Sequence, residues 1–344
     1  MGTTQIFRVN QARDLIAAGS VDEVLSGLQP DEFLWLHTVE PTADDLVPLI
    51  GQLGIHPLSV EDALDMNSIP KIDIYPDSTL VLINAFTYRN QELHVQEIDL
   101  ILGERFLVSV DRIGPDGKPL LEGITAAALA ARSHEEVGPA YVMHAILDTV
   151  VDRKLHSIET IEEELAQAEE TLFEHPSDFS PQSMQHIRRS LLQMRKSLYH
   201  EREVFLKISR QDCPLIPEKA IFHYRDIYDH ITRYFELTES LRDMETSLME
   251  IDLSLRSNEM ARAANRTNRS VGRLTFISTI FLPLTLLASI GGMSEWSMMT
   301  GPENWRVSYP LFLLAMAAIG IASTYLLRYL ARRDANRDDH DDRG

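Results

Sequence analysis

The stretch Leu274–Met293, LTFISTIFLPLTLLASIGGM, decides the fold, because it carries no charged residue over its whole length. At about 1.5 Å of rise per residue, a helix of this length covers roughly 30 Å, the thickness of the hydrocarbon core of a bilayer. A second apolar run, Val307–Leu327, follows closely. Two such runs so near each other predict two transmembrane helices, the second over 307–330, joined by a periplasmic loop over 294–306.

The placement of arginine predicts the orientation of these two helices. Four arginines lie just before the first run and four follow the second, whereas the loop holds Glu295, Glu303 and only Arg306. Positive residues flanking membrane helices stay on the cytoplasmic side. Both termini, including a charged tail over 331–344, are therefore predicted in the cytoplasm, in a multi-pass protein that contacts membrane lipid.

The composition of the rest of the chain excludes some functions. The 344 residues carry a net charge of −20, which argues against nucleic acid as a partner, because its phosphates would be repelled. Cys213 is the single cysteine, so neither an intrachain disulfide nor a cysteine-rich zinc site is expected.

Residues 1–138 are predicted to form a cytosolic α/β domain. Glu32–Val39 and Thr79–Tyr88 have the composition of strands, and Val95–Asp111 is typical of two strands with a hairpin at Gly103–Glu104. Thr42, with Asp45 three residues later, indicates the start of a helix. The domain holds no glycine-rich phosphate loop and no nucleophile or zinc-protease motif, so we do not expect an enzyme.

Residues 139–217 are predicted to form two antiparallel peripheral helices, because apolar residues recur at spacings of three and four on both sides of the turn His175–Pro181. The first arm is strongly acidic, which is typical of a solvated face or of a surface that attracts cations. The two apolar stripes are Ile158, Ile161, Leu165, Ala168 and Leu172, and Met184, Ile187, Leu191, Met194 and Leu198.

Residues 218–293 are predicted to form one long stalk helix that continues into the first membrane span. No proline occurs between Glu218 and Pro283, so one helix on the order of 100 Å is possible by helical rise. A helix this long needs neighbours, within and between subunits, to bury its apolar stripe. That stripe is Leu241, Met244, Leu248, Ile251 and Leu255.

Polar residues form a stripe along the first span. Hydroxyls in membrane helices often bond their own backbone or join neighbouring helices, and the alternative is a water-filled pore lined by the stripe. Two spans cannot enclose a pore, but several copies of the first span around an axis can. The stripe comprises Asn268, Thr275, Ser278, Thr285 and Ser289, with Leu282 in the remaining position.

Several segments together are similar to a known family. They are TFISTIFLPLTLLASIGGM (Thr275–Met293), the Pro302–Glu303 pair in the loop, HPLSVEDALDMNSIPKIDIY (His56–Tyr75) and GERFLVSVD (Gly103–Asp111). These segments resemble the CorA/ZntB family of divalent-cation channels and transporters. The resemblance implies an α+β membrane protein assembled as a homopentamer in a bacterial inner membrane, with a funnel-shaped cytosolic part, a pore lined by the first span, and no cofactor beyond the transported cation.

The resemblance also assigns roles to residues of the first span. It implies that Leu274 and Leu282 form apolar constrictions of the pore. At the pore mouth the family has Gly-Met-Asn, whose asparagine ring binds a hydrated cation, whereas this chain has Gly292, Met293 and Ser294, followed by Glu295. Gly291 also stands where an aromatic residue is common. The implied pore-lining residues are Asn268, Val271, Leu274, Leu282, Thr285 and Ser289.

The ion is left open between Mg²⁺ and Zn²⁺, because serine is shorter than asparagine and offers a hydroxyl instead of an amide oxygen. A non-conducting, metal-responsive membrane scaffold is the alternative function. No motif identifies a cytosolic regulatory metal site, and Asp226 and Asp229 are weak candidates. His223 and His230, seven residues apart, are interpreted as surface or interface residues rather than ligands.

Overall fold

A computed structural model describes residues 3–10, 12, 14–66, 69–121, 137–292 and 304–341, without the side chains of Trp305 and of residues 330–341. The chain divides into two compact units, Met1–Asp252 and Leu253–Gly344. The predicted boundaries at 138, 217 and 293 do not coincide with this division, because the unit boundary falls within one continuous helix.

A mixed sheet of seven strands forms the centre of the first unit, in the order β2-β1-β3-β7-β6-β5-β4. The β3–β7 pair is parallel, and the other neighbours are antiparallel. The central strands are runs of Val, Ile and Leu buried on both faces, as expected of strands covered by helices on either side. The strands are β1 (Thr3–Val9), β2 (Leu15–Ala17), β3 (Phe33–Val39), β4 (Lys71–Ile74), β5 (Ser78–Arg89), β6 (Glu92–Gly103) and β7 (Phe106–Asp111).

The hairpin predicted at Gly103–Glu104 is confirmed, since β6 ends at Gly103 and β7 begins at Phe106. A Cβ atom at position 103 would lie 2.1 Å from the ring of Phe106, so only glycine permits this close return of the chain. The prediction missed the short or peripheral strands β1, β2 and β4, whose stability comes from pairing with neighbours rather than from a strong local pattern.

Among the described residues before β7, three helices are present: α1 (Val21–Gly27), α2 (Ala43–Leu53) and α3 (Pro57–Leu64). Their apolar residues share a core with one face of the sheet, including Leu36, Ile101 and Val108. The predicted start of α2 is confirmed, because the Asp45 carboxylate accepts hydrogen bonds from the backbone N–H and the hydroxyl of Thr42, at 2.8 and 2.7 Å.

Two long helices, α4 (Pro139–Glu174) and α5 (Pro181–Ser209), form the predicted antiparallel pair. Of the ten residues in their two apolar stripes, Ala168 is half-buried and the other nine are buried. The α4 helix also packs on the sheet, where the hydroxyl of Ser157 donates to the Phe86 carbonyl at 3.2 Å. The period-of-seven pattern was therefore sufficient to identify both helices and their facing sides.

A short 3₁₀ turn, Glu218–Ala220, leads into α6, which runs without a break over Ile221–Gly291. Leu241 and Leu248 are buried, whereas Met244, Ile251 and Leu255 are half-buried, so the predicted stripe is only partly covered within one chain. The last helix, α7, spans Trp305–Asp341 and makes most of the predicted charged tail helical.

Candidate functional site

In the part of the chain that the structure describes, two helices are long and apolar enough to cross a membrane, over Glu218–Gly291 and Arg306–Tyr329. No residue of either apolar window is buried within one chain. This lack of burial distinguishes the two helices from core helices of a soluble protein, which bury their apolar residues. Both windows belong to the second compact unit, Leu253–Gly344.

One side of α6 packs against α7 in this unit. A Cβ atom added to Gly291 would lie 2.6 Å from the ring of Phe312, and one added to Gly320 would lie 3.6 Å from the Leu284 side chain. Ile280 and Leu284 line a groove whose other wall is α7. The side of α6 defined by Ile280, Leu284 and Gly291 is therefore the side that faces the second span.

The predicted pore residues lie on the opposite side of α6. With 3.6 residues per turn, Ser278, Leu282 and Ser289 are about 180° around the helix from the side that faces α7. Leu274 and Leu282 are 65% and 72% exposed, which leaves both apolar side chains without cover from their own chain. All eight predicted residues are exposed: Asn268, Val271, Leu274, Thr275, Ser278, Leu282, Thr285 and Ser289.

The hydroxyls on this stripe bond to their own helix. Thr275, Thr285 and Ser289 donate to the carbonyls of Val271, Phe281 and Thr285, at 2.9, 2.8 and 2.9 Å. This is the bonding expected if the hydroxyls serve only their own backbone. It uses the single proton of each hydroxyl and leaves oxygen lone pairs, which are acceptors, on the outer surface of the helix.

The predicted pore mouth is only partly described. Gly292 directly follows the last residue of α6, and its backbone N–H donates to the Ala288 carbonyl at 3.0 Å. Met293, Ser294 and Glu295 lie outside the described residues. Their roles therefore remain predictions from the sequence.

A group of potential metal ligands lies in the first unit. Ligand atoms of Asp148 and Asp152 on α4 and His230 on α6 all lie within 4.8 Å of one another. Asp148 and His230 are half-buried and Asp152 is exposed. Two carboxylates and an imidazole are suitable ligands for a divalent cation. In the described part of the chain, the buried Nδ1 atom of His230 has no hydrogen-bond partner.

The charges around this group favour a cation. Burial raises the pKa of Asp148, and the carboxylates of Asp152 and Asp226 raise it further. Of the two predicted candidates, Asp226 thus acts on the group electrostatically, while Asp229 is not one of the three clustered residues. Sequence reasoning did not single out Asp148 and Asp152, and it interpreted His230 as a surface or interface residue. The four-residue spacing of the two aspartates was the available signal, but only the fold brings His230 to them.

The comparison with protein families decides the classification. The model of the family described as "CorA-like Mg2+ transporter protein" matches residues 30–332. The chain belongs to the CorA-like Mg²⁺ transporter family. One CorA relative, the cobalt/magnesium transport protein of Thermotoga maritima, is 30% identical over 306 residues, covering 88% of this chain and 84% of that protein.

Solved structures agree with this assignment at the level of fold. The structure of the CorA magnesium transporter from Methanocaldococcus jannaschii matches with a TM-score of 0.67 and 19% identity, over 95% of this chain and 97% of that chain. The cytoplasmic domain of ZntB from Vibrio parahaemolyticus matches 75% of this chain with a TM-score of 0.58 and 15% identity, and is covered completely. The predicted CorA/ZntB class, a soluble α/β part with a long helix and two C-terminal candidate membrane helices, is therefore confirmed.

Proposed function

We propose that this chain carries divalent cations across a bacterial inner membrane through a homopentameric pore lined by α6, with both termini in the cytoplasm. Membership of the CorA-like family supports cation transport, and the name of the Thermotoga relative supports Mg²⁺ and Co²⁺ as cargo. The arginines that flank both spans support the orientation. No catalytic role is proposed, because the family is one of transporters.

The observation that carries this proposal is the division of α6 into two opposite sides. One side, with Leu284 and Gly291, packs against α7 of the same chain, and the other presents the polar stripe with no cover from that chain. A lone pair of helices would leave hydroxyls such as Thr285 in lipid. Several copies arranged with α6 inside and α7 outside would instead turn every stripe toward one axis.

The chemistry of the stripe suits a hydrated cation. Water bound to a cation points its hydrogens outward, so a pore wall must accept hydrogen bonds. Because Thr275, Thr285 and Ser289 donate their protons to backbone carbonyls, their oxygens face the axis as acceptors. Mg²⁺ gives up its water reluctantly, so passage with the hydration shell intact avoids most of that cost. Leu274 and Leu282 would narrow the path and close it by dewetting.

A second candidate cargo is Zn²⁺, because Ser294 replaces the asparagine that the resemblance implies at the pore mouth. Glu295, next in the chain, would supply a carboxylate ring that attracts any divalent cation. In the described parts of the two apolar spans, Leu274–Met293 and Val307–Leu327, no histidine or carboxylate group forms a zinc-ligand cluster. Mg²⁺ and Co²⁺ are therefore proposed as the principal cargo, with Zn²⁺ to be tested beside them.

The test is uptake into proteoliposomes, measured with dyes for Mg²⁺, Co²⁺ and Zn²⁺. Thr285→Leu should slow uptake at least tenfold, because it replaces an acceptor with a bulkier apolar group on the stripe. Thr324→Leu is the matched control: it removes the same kind of hydroxyl–carbonyl bond, and it lies on α7 rather than on the stripe. Equal uptake by both variants would exclude the stripe from the mechanism. A folded pentamer without flux of any ion would support the scaffold alternative.

We also propose that Asp148, Asp152 and His230 bind a divalent cation on the cytosolic side. The support is their mutual approach within 4.8 Å and the unpartnered Nδ1 of His230 in the described part of the chain. Co²⁺ has a visible spectrum that changes with its ligands, so it is a suitable probe. Co²⁺ titration of the full-length protein should give a bound-ion spectrum that His230→Ala abolishes and that His186→Ala, on α5, leaves intact. An unchanged spectrum in His230→Ala would rule out this site.

A further inference from the structure

A cavity of about 610 Å³ lies in the first compact unit, between the sheet, the segment that follows α3, and helix α5. It shares no residue with the Asp148–Asp152–His230 group or with the membrane helices. Its volume falls within the usual range for small-molecule sites, about 300 to 1,000 Å³. Neither the pore nor the metal group accounts for it.

The floor of this cavity is polar and buried. Asn84, Gln96, Glu97 and Arg112 line it, and each is at most 9% exposed. The Arg112 guanidinium donates to the Ala63 carbonyl and lies 4.0 Å from the fully buried Asp99. Its Nε atom is also buried and has no acceptor among the described residues. A buried donor of this kind indicates a missing partner.

The sides of the cavity are apolar and unusually open. Met66, Ile69, Val95 and Ile113 all line it, and they are between 44% and 57% exposed. Exposed apolar side chains are normally scattered singly over a surface. The four apolar side chains around this polar floor could pack against the two faces of a flat aromatic ring. The polar groups of the floor could then form hydrogen bonds with the edge of that ring.

Charged side chains of both signs line the cavity. The Glu97 carboxylate belongs to the floor, and Glu40 at the end of β3 accepts a hydrogen bond from the Ile113 N–H at 2.8 Å. Lys196 and His200 also line it, on α5. Carboxylates at the floor accept from amino and ring N–H groups and repel phosphate, whereas Lys196 attracts it.

We propose that this cavity binds a nucleotide. The base lies between the apolar side chains, its hydrogen-bonding edge meets Asn84, Glu97 and Arg112, and its phosphate extends toward Lys196 and His200. A bare divalent cation would use neither the apolar sides nor Arg112. An amino acid would fill only part of the volume. The proposal is independent of ion transport, because it requires binding to the first unit alone.

The test is binding of labelled ATP, GTP and the nucleoside adenosine to the full-length protein in detergent, with EDTA present so that metal bridging is excluded. We expect saturable binding of at least one nucleotide at one molecule per chain. Lys196→Glu should weaken nucleotide binding at least tenfold and leave adenosine binding nearly unchanged. Lys207→Glu, an exposed lysine of the same helix outside the cavity, should have no effect.

A second pair of variants tests the apolar sides. Ile113→Trp should fill the cavity and abolish binding, whereas Leu192→Trp, on an exposed position of α5 outside it, should bind as the wild type does. Both positions are about half exposed, so neither substitution should prevent folding. Absence of saturable binding of all three compounds would overturn the proposal, and so would wild-type nucleotide binding by Ile113→Trp.

Discussion

The Lys154 ammonium and the Glu201 carboxylate form an ion pair in which neither side chain has any exposed surface. The other carboxylate oxygen of Glu201 accepts from the Asn84 backbone N–H at 3.1 Å and the Ser197 hydroxyl at 3.0 Å. The pair thus connects α4, α5 and β5. Burial lowers the pKa of Lys154 even though Glu201 acts to raise it, so the loss of hydration outweighs the pairing.

Removing one partner of this ion pair should lower the stability of the fold far more than removing both partners. Lys154→Met should lower the free energy of unfolding by about 3–5 kcal/mol, because it leaves the Glu201 charge buried without its cation. The double variant Lys154→Met/Glu201→Met should recover most of that loss. Thermal unfolding of the full-length protein in detergent measures both. A double variant as unstable as the single one would mean that the pair itself, and not the orphaned charge, determines stability.

Stability should depend on pH through Asp111. Burial raises the pKa of this carboxyl from 3.8 to about 6, although it accepts hydrogen bonds from backbone N–H groups of Leu121 and Arg112. Between those pH values the folded state binds more protons than the unfolded state. The contribution of Asp111 is therefore greatest below about pH 4 and is lost as the pH rises through 6, a change of about 3 kcal/mol.

Asp111→Asn should remove this component of the pH dependence. The difference in unfolding free energy between wild type and variant should shift by about 2–3 kcal/mol in favour of the variant between pH 4.5 and pH 7.5. Asp77→Asn, at an exposed position, is the control for general charge effects and should leave the profile nearly parallel to that of the wild type. Parallel profiles for Asp111→Asn would contradict the prediction.

Gly291 should tolerate no larger side chain while Phe312 is present. Since an added Cβ would lie 2.6 Å from the Phe312 ring, Gly291→Ala should destabilise the packing of α6 and α7 by about 1–3 kcal/mol. Phe312→Leu should restore part of this loss in the double variant. Gly272→Ala is the control, because no atom lies within 4 Å of its added Cβ. Thermal stability of the detergent-solubilised protein is the measurement.

The selectivity of uptake between Mg²⁺ and Zn²⁺ should depend on the side chain at position 294. Asparagine carries a longer side chain with an amide oxygen, so Ser294→Asn should narrow the mouth and shift uptake toward Mg²⁺. The measurement is the ratio of Mg²⁺ to Zn²⁺ uptake in proteoliposomes, with Ser297→Asn as a substitution of the same type in the same loop. An uptake ratio identical to that of the wild type would show that this position does not control selectivity.

Long helices with a periodic apolar pattern were predictable from the sequence, whereas short strands that form by pairing with a neighbour were not. The stripes of α4 and α5, from Ile158 to Leu198, identified both helices because apolar, buried residues recur at spacings of three and four. The strand β4 carries only four residues and forms because β5 is beside it. The strand β4 therefore depends on contacts with a neighbouring strand, which the sequence of its own four residues does not reveal.

The candidate sites divide in the same way. The stripe of Thr275, Thr285 and Ser289 could be predicted from spacing along one helix. Its position opposite α7 became visible only from the packing of Gly291 and Leu284 against that helix. The group of Asp148 and His230 joins residues 82 positions apart on two helices, and the cavity lined by Arg112 joins six separate segments. Such sites become visible only when the fold has placed distant segments side by side.

The order of the two compact units along the chain has a consequence for biogenesis. Among the described residues, every strand and both peripheral helices lie before Asp252, and the first apolar span begins only at Leu274. Because chains fold from the N-terminal side during synthesis, the sheet can be complete before the first hydrophobic span has been synthesised. A defect such as an orphaned Glu201 would then expose the chain to chaperones and proteases before insertion into the bilayer begins.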